Sequence, residues 1–211
     1  MIWLVRHGES EANAGAVTFD YAAIALTARG RDQAAAVAEI CPEQPTWVGL
    51  SSYLRARQTA EPFLSRYPGV TPVDLAVHEF TYLTPDRMAG TSLKERKPLV
   101  DDYWTRLDPT FSDGAGAESF VDAYGRAETF LKWAARQSGF GIVFTHEQFI
   151  RAVLLAALYP GESPSVDVMR RFFALRSGMP IPNAAVVRLR RDGGRWWTGG
   201  VDVEHLSGVA Q

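Results

Sequence analysis

MIWLVRHGESEAN, residues 1–13, is the stretch whose reading decides the fold. Apolar residues run from Met1 to Val5 and lead straight into Arg6, His7 and Gly8. A short uninterrupted apolar run suits a strand buried on both faces. Gly8 marks the turn that ends it. A fixed cation, an imidazole and a residue without a side chain thus emerge at one strand end. Lacking a Cβ, Gly8 would let a ligand approach the backbone closely. The cluster points to an anion site containing a nucleophile.

Outward from this stretch, strand-like and helix-like segments alternate. An alanine-rich run over 31–40 reads as a helix, closed by Pro42 and Pro45. An apolar run over 46–50 ends at Ser51 and Ser52, before a helix over 54–66. A third strand is expected over 72–77. The pattern lapses over 78–116, where only 98–106 reads as helical. This segment holds too little apolar material for its own core and is read as an insertion or lid. Helical spacing returns in Phe120, Ala123, Tyr124, Ala127, Phe130, Leu131 and Ala134. A fourth strand covers 142–144 and ends at Thr145 and His146, and a helix over 149–158 stops at Pro160. Segments 185–190 and 195–203 flank Asp192-Gly193, a type I′ hairpin signal. The expected fold class is α/β: three layers, a mostly parallel central sheet flanked by helices, a loop/helix insertion and a C-terminal β-hairpin. One domain over residues 1–211 is expected.

Composition narrows the function classes. The 211 residues are 46% hydrophobic and 22% charged, with a formal net charge of -2, the profile of a soluble globular protein. There is no basic excess to suit nucleic acid or an anionic membrane, so neither is expected as a partner. No stretch is long and apolar enough to span a bilayer, and the N-terminal apolar run is too short for a signal peptide, so a cytoplasmic location is the default. The sole cysteine, Cys41, reads as a small buried hydrophobe. His7, His78, His146 and His205 show no metal-ligand spacing. Oligomeric state is not encoded in any feature of the sequence.

In parallel α/β sheets, groups at the carboxyl ends of different strands converge on one ligand. Arg6 and His7 follow the first strand, Ser51 and Arg55 the second, and His146 the fourth. Two guanidiniums and two imidazoles so gathered would form an oxyanion pocket, because arginine presents paired donors that match phosphate oxygens. The same positive field disfavours protonation of His7 and keeps it a neutral nucleophile.

These motifs resemble the histidine phosphatase superfamily, also called the phosphoglycerate mutase-like fold. The match runs through Arg6-His7-Gly8-Glu9 with Asn13, Leu26-Thr27 with Gly30 and Gln33-Ala34, Ser51 with Arg55-Ala56 and Gln58-Thr59-Ala60, and Thr145-His146. The resemblance implies that His7 attacks phosphorus and carries the phosphoryl group. Arg6, Arg55 and His146 would hold the nonbridging oxygens, each well-placed donor contributing about 3 to 4 kcal/mol in the transition state. Asn13 would add a neutral hydrogen bond. The family's proton donor is a carboxylate after the third strand, and Glu79 is the best positional match, with Glu9, Glu11, Asp86 and Glu118 as rivals. No metal or organic cofactor is implied.

The family commonly places glycine after the second histidine, and this chain has Glu147. Glu147 reads either as a partner of the following helix's dipole or as a group that tunes His146 and repels highly charged substrates. The mutase-specific tryptophan and Thr-Gly-Trp stretches do not match here, so the resemblance favours a phosphatase acting on a small phosphoester. A phosphoglycerate mutase-type phosphotransferase and a noncatalytic phospholigand-binding member are the alternatives. Tyr82, Arg87, Lys94, Arg96 and Lys97 could contact a second part of the substrate, or belong to a solvated loop anchored by Phe80, Tyr103 and Trp104.

Overall fold

The computed structural model describes residues 1–209. Six strands form one sheet in the order β3-β2-β4-β1-β5-β6. They are β1 (Ile2–Arg6), β2 (Trp47–Leu50), β3 (Pro72–Asp74), β4 (Gly141–Thr145), β5 (Val186–Asp192) and β6 (Arg195–Asp202). β1 to β4 are mutually parallel, and β5 and β6 continue the sheet antiparallel. The helices are α1 (Ala28–Glu39), α2 (Leu54–Arg66), α3 (Pro85–Met88), α4 (Leu93–Arg106), α5 (Phe120–Ala134), α6 (Glu147–Leu158) and α7 (Val166–Gly178). None is long and apolar enough to cross a membrane.

The apolar run of β1 has a direct structural cause. Successive strand residues point to opposite faces of the sheet, and both faces of β1 are covered by helices. Ile2 and Leu4 enter the core shared with α5, α6 and α7, while Trp3 and Val5 enter the core shared with α1 and α2. Every other residue must then be apolar too, and the alternation vanishes. The insertion adds to the first of these cores through Phe80, Tyr103 and Trp104, and the Trp104 ring stacks on Phe172 of α7 at 5.5 Å.

Several boundaries differ from expectation. β3 ends at Asp74 rather than 77, because it is an exposed edge strand pairing only with β2. α4 begins at Leu93, five residues before Pro98, because Ser92 and Glu95 form a reciprocal capping box that starts the helix. α7 has no counterpart among the expected helices; it turns only Val168, Met169 and Phe172 fully inward. The hairpin turn lies one residue later than expected, with Gly193 and Gly194 at φ +55° and +81° and Asp192 paired with Arg195. Two consecutive positive φ values are what a type I′ turn requires, and Gly-Gly meets them without strain.

Parallel register brings the strand ends together. Arg6 pairs with Thr145 across β1 and β4, and Leu50 with Phe144 across β2 and β4. The backbone N–H groups of His7 and Ser51 continue these ladders to the carbonyls of Thr145 and Phe144, at 3.0 and 3.1 Å. His7, Ser51 and His146 therefore leave the sheet along one edge.

Candidate active site

Gly8 is required by packing against the protein's own backbone. A Cβ there would stand 2.3 Å from the carbonyl oxygen of Gly30, and a Cβ on Gly30 would stand 2.0 Å from that of Glu9. The loop after β1 thus lies backbone to backbone against the first turn of α1. This differs from the sequence-based reason, close approach of a ligand. Gly8 N–H donates to Thr59 Oγ1 at 3.0 Å, Glu9 N–H to Gln33 Oε1 at 2.8 Å and Leu26 N–H to Gln58 Oε1 at 2.8 Å. The polar residues of the α1 and α2 motifs therefore hold the loop.

His7 is buried, and its tautomer follows from its neighbours. Its Nδ1 lies 2.7 Å from the Gly8 carbonyl oxygen, which can only accept, so Nδ1 carries the hydrogen. Arg55 Nε–H donates to Nε2 at 3.1 Å, so Nε2 holds the lone pair. Burial first, then the charges of Arg55 and Arg6, push the imidazole well below its ordinary pKa. Arg55 is fixed by donating to the Tyr21 carbonyl oxygen at 2.8 Å and by the Tyr21 and Tyr53 rings, each 4.9 Å from its guanidinium carbon.

His146 is the N-cap residue of α6, and its ring centroid is 5.1 Å from that of His7. It is fully buried and does not line the cavity described below. Its Nε2 is 2.8 Å from Ser51 Oγ, and its Nδ1 has no partner among the described residues. Burial, reinforced by Arg55 and His7, also pushes its pKa well down. Arg6 donates through Nη1 to the Ile181 carbonyl at 2.5 Å and pairs with Glu147 at 3.1 Å. The other Glu147 oxygen is 2.5 Å from buried Arg151. Glu147 is thus both the first residue of α6 and a bridge between two guanidiniums.

Glu79 is buried beside this group. Its Oε1 accepts from Phe80 N–H and from Gln148 N–H in the first turn of α6, both at 3.0 Å. Burial raises its pKa above the ordinary carboxylate value, against the opposing pull of Arg55. The rival carboxylates are placed elsewhere. Glu9 is occupied by Thr27 and Arg29, and Glu11 and Asp86 are exposed. Burial alone would raise Glu118, but bonds from His78 and Arg126 outweigh it and hold the carboxyl at about 2.

Arg6, His7, Asn13, Arg55, Glu79 and Glu147 all line one cavity of about 450 Å³. Asn13 Oδ1 accepts from Ser10 and from Asn183 Nδ2, the latter at 3.0 Å. Asn183 also donates to the carbonyls of His7 and Gly8 and so ties the loop to the start of β5. Tyr21, Asn183 and Arg176 are site residues that the sequence does not single out. Each comes from a segment without helix or strand periodicity or from the unexpected α7. Of the suggested substrate contacts, Tyr82 and Lys97 line the cavity, whereas Arg87 pairs with Asp113 and Arg96 is buried against Ser92 and Thr18. Lys94 does not line it.

The chain is thus an α/β protein with a central, mostly parallel sheet that gathers imidazoles and guanidiniums at its strand ends. The model of the histidine phosphatase superfamily (branch 1) matches residues 2–201, and the chain belongs to that family. Solved structures with the same fold include a mutant phosphoserine phosphatase from Entamoeba histolytica in complex with phosphoserine, at TM-score 0.73 and 17% identity over 97% of this chain and 98% of that one. The phosphoserine phosphatase of the same organism in complex with 3-phosphoglyceric acid aligns at TM-score 0.71 and 17% identity, over 97% and 98%. A mycobacterial glucosyl-3-phosphoglycerate phosphatase in complex with VO3 aligns at TM-score 0.72 and 23% identity, over 94% and 96%. A search of curated proteins finds no match to the sequence.

Proposed function

We propose that the protein is a phosphomonoester hydrolase that forms a phosphohistidine on His7 and acts on a small phosphorylated substrate. One observation carries this reading: a buried neutral imidazole whose Nε2 lone pair faces the Arg55 N–H, while Nδ1 is anchored to a carbonyl. A nucleophile held in the correct tautomer among cations is what attack on a phosphate ester requires.

In the proposed reaction, Nε2 attacks phosphorus and the ester P–O bond breaks. Arg55 transfers its N–H from the lone pair to a phosphoryl oxygen, and Arg6 and Asn13 bind the other nonbridging oxygens. His146 is the further donor. Ser51 Oγ already accepts from Tyr53 N–H at 3.2 Å, so its own hydrogen can go to His146 Nε2, which leaves the His146 hydrogen on Nδ1. Glu79, protonated with the help of its raised pKa, gives its proton to the leaving oxygen. Its carboxylate then takes a proton from water, which attacks the phosphohistidine and releases phosphate and neutral His7. This scheme invokes no metal or organic cofactor. The chain acts as one unit whose 78–116 segment walls the substrate site, and its substrates are cytoplasmic small phosphoesters.

The test is release of phosphate from an aryl phosphate, together with acid-quench trapping of an acid-labile, alkali-stable phosphoenzyme. Both are expected in the wild type and both are lost in His7→Ala. Folded wild-type protein giving neither would sink the reading. Interconversion of monophosphoglycerates that depends on priming by a bisphosphate would assign a mutase instead.

A further inference from the structure

We propose that Arg176 binds a carboxylate on the substrate, so that the preferred ester is the phosphate of a small carboxylic acid. This rests on the hydrolase reading for the phosphoryl end of the site and supplies the chemistry of the other end.

The charges on the cavity wall do not balance. It carries the cations Arg6, Arg55, Lys97 and Arg176 and the acids Glu79, Asp101 and Glu147. Lys97 is matched by Asp101 at 2.5 Å, and Arg6 by Glu147 at 3.1 Å. Arg55 is committed to His7 and to the Tyr21 carbonyl. Glu79 faces no cation of the wall in an ion pair among the described residues, and its Oε1 is occupied by the Phe80 and Gln148 N–H groups. Arg55 and Arg176 are left without a matching anion; Arg55 stands at the phosphoryl end beside His7, and Arg176 is the cation left for another group. Among the described residues it makes no ion pair or hydrogen bond, and its Nε is buried without an acceptor.

Arg176 is nevertheless held in place. It sits in the last turn of α7, with its guanidinium carbon 5.7 Å from the Trp104 ring and 5.9 Å from the Phe173 ring. Aromatic faces support a guanidinium without neutralising it, so its in-plane donors stay available for a ligand. A buried guanidinium N–H without an acceptor is costly, and an anionic ligand group relieves that cost. Much of the remaining wall, including Ile24, Phe80 and Leu93, suits a compact carbon skeleton. A singly charged carboxylate matches the one unpaired cation that lies beyond the phosphoryl end of the site. A second phosphate, with up to two charges, would face the wall's acids with the same single partner.

The experiment compares 3-phosphoglycerate with glycerol 1-phosphate, which share a three-carbon skeleton and differ at the carboxylate. The ratio of their kcat/KM values is measured in wild type, Arg176→Gln and Arg176→Met. The methionine variant keeps the apolar contact with Trp104 and Phe173, and thermal melting checks that each variant is folded. Wild type is expected to favour the carboxylated ester by about 10- to 100-fold, the worth of a charge-assisted hydrogen bond, with the preference in KM and collapsing toward unity in both variants. Calorimetric binding of the two esters to His7→Ala, with and without Arg176→Met, is expected to show the same dependence and requires no turnover.

A ratio unmoved by the Arg176 substitutions, or a wild type that prefers glycerol 1-phosphate, overturns the proposal. So does fructose 1,6-bisphosphate if it depends on Arg176 more strongly than 3-phosphoglycerate does. Failure of the hydrolase reading looks different: aryl phosphate turnover would be absent while the binding ratio still reports on Arg176.

Discussion

At the scale of single residues, burial shifts two neighbouring groups of the site in opposite directions. Burial pushes the pKa of His7 down and that of Glu79 up, the directions that the proposed nucleophile and the proposed acid each need. Glu79→Gln should therefore cost alkyl phosphates about 10²- to 10⁴-fold in kcat and aryl phosphates far less, because only the poorer leaving group needs the proton. Steady-state rates on the two ester classes check this, and equal losses on both would move the acid elsewhere. The same substitution should remove the fall in alkyl ester turnover as pH rises through the Glu79 pKa. Glu147 gives a second prediction. It puts a negative charge against Arg6 in the cavity wall, so Glu147→Gln should tighten inhibition by inorganic phosphate about tenfold, the scale of one unit charge near a partly screened site. An unchanged inhibition constant would restrict Glu147 to starting α6 and pairing with Arg151. Arg6, His7, Arg55 and His146 are legible in the sequence because each stands one to five residues beyond an apolar run, where local signals fix its place. Asn183 reaches Asn13 across 170 positions, and the Tyr21 carbonyl is positioned by an irregular loop, so no local pattern could announce either.

At the scale of elements, the loop after β1 depends on how closely it approaches α1. Gly8 and Gly30 exclude a Cβ on both sides of one backbone contact, and the obstructing atoms are carbonyl oxygens, which cannot swing aside. Gly30→Ala should cost about 2 kcal/mol of stability, in the range of overpacking, although alanine is ordinarily the better helix former. It should also lower kcat by displacing His7 from Arg55. Urea unfolding and aryl phosphate turnover check the two effects, and a gain in stability would show that the loop can retreat freely. A milder change, Thr27→Ala, removes the side chain that caps Gly30 N–H at 3.0 Å and also bonds Glu9, and should cost about 1 kcal/mol. Legibility follows the same logic among elements. β1 and α5 are evident because burial on both faces, or on one broad stripe, dictates their residues. α7 buries a narrow stripe between Arg170, Arg171 and Arg176, so its periodicity is weak. The start of α4 is set by the Ser92–Glu95 capping box, while Pro98 suggests a later one.

At the scale of the whole molecule, the site couples folding to pH, because His7, His146 and Glu79 are buried in the folded protein. His7 and His146 remain neutral in the folded protein well below the ordinary histidine pKa, whereas in the unfolded chain each takes up a proton at about pH 6.5. Below that pH the unfolded state binds more protons than the folded state, so stability falls as pH falls, by about 1.4 kcal/mol per pH unit for each imidazole. Glu79 acts with the opposite sign. Its folded pKa is raised, so the stability it contributes is present at low pH and is lost as pH rises from the ordinary carboxylate value through the folded one. Two imidazoles outweigh one carboxyl, and Glu118, held at about 2, adds its own loss only below the ordinary carboxylate range. The unfolding free energy from urea titration should therefore decline from pH 7 to pH 5 by about 2 to 4 kcal/mol. His7→Ala removes one of the two buried imidazoles and should remove at least half of the slope between pH 6 and pH 5, because the opposing Glu79 contribution remains, whatever it does to stability at pH 7. A free energy that stays flat across this interval would mean that the folded protein admits protons to its imidazoles, and the neutral nucleophile on which the proposed chemistry depends would then be lost under the same conditions.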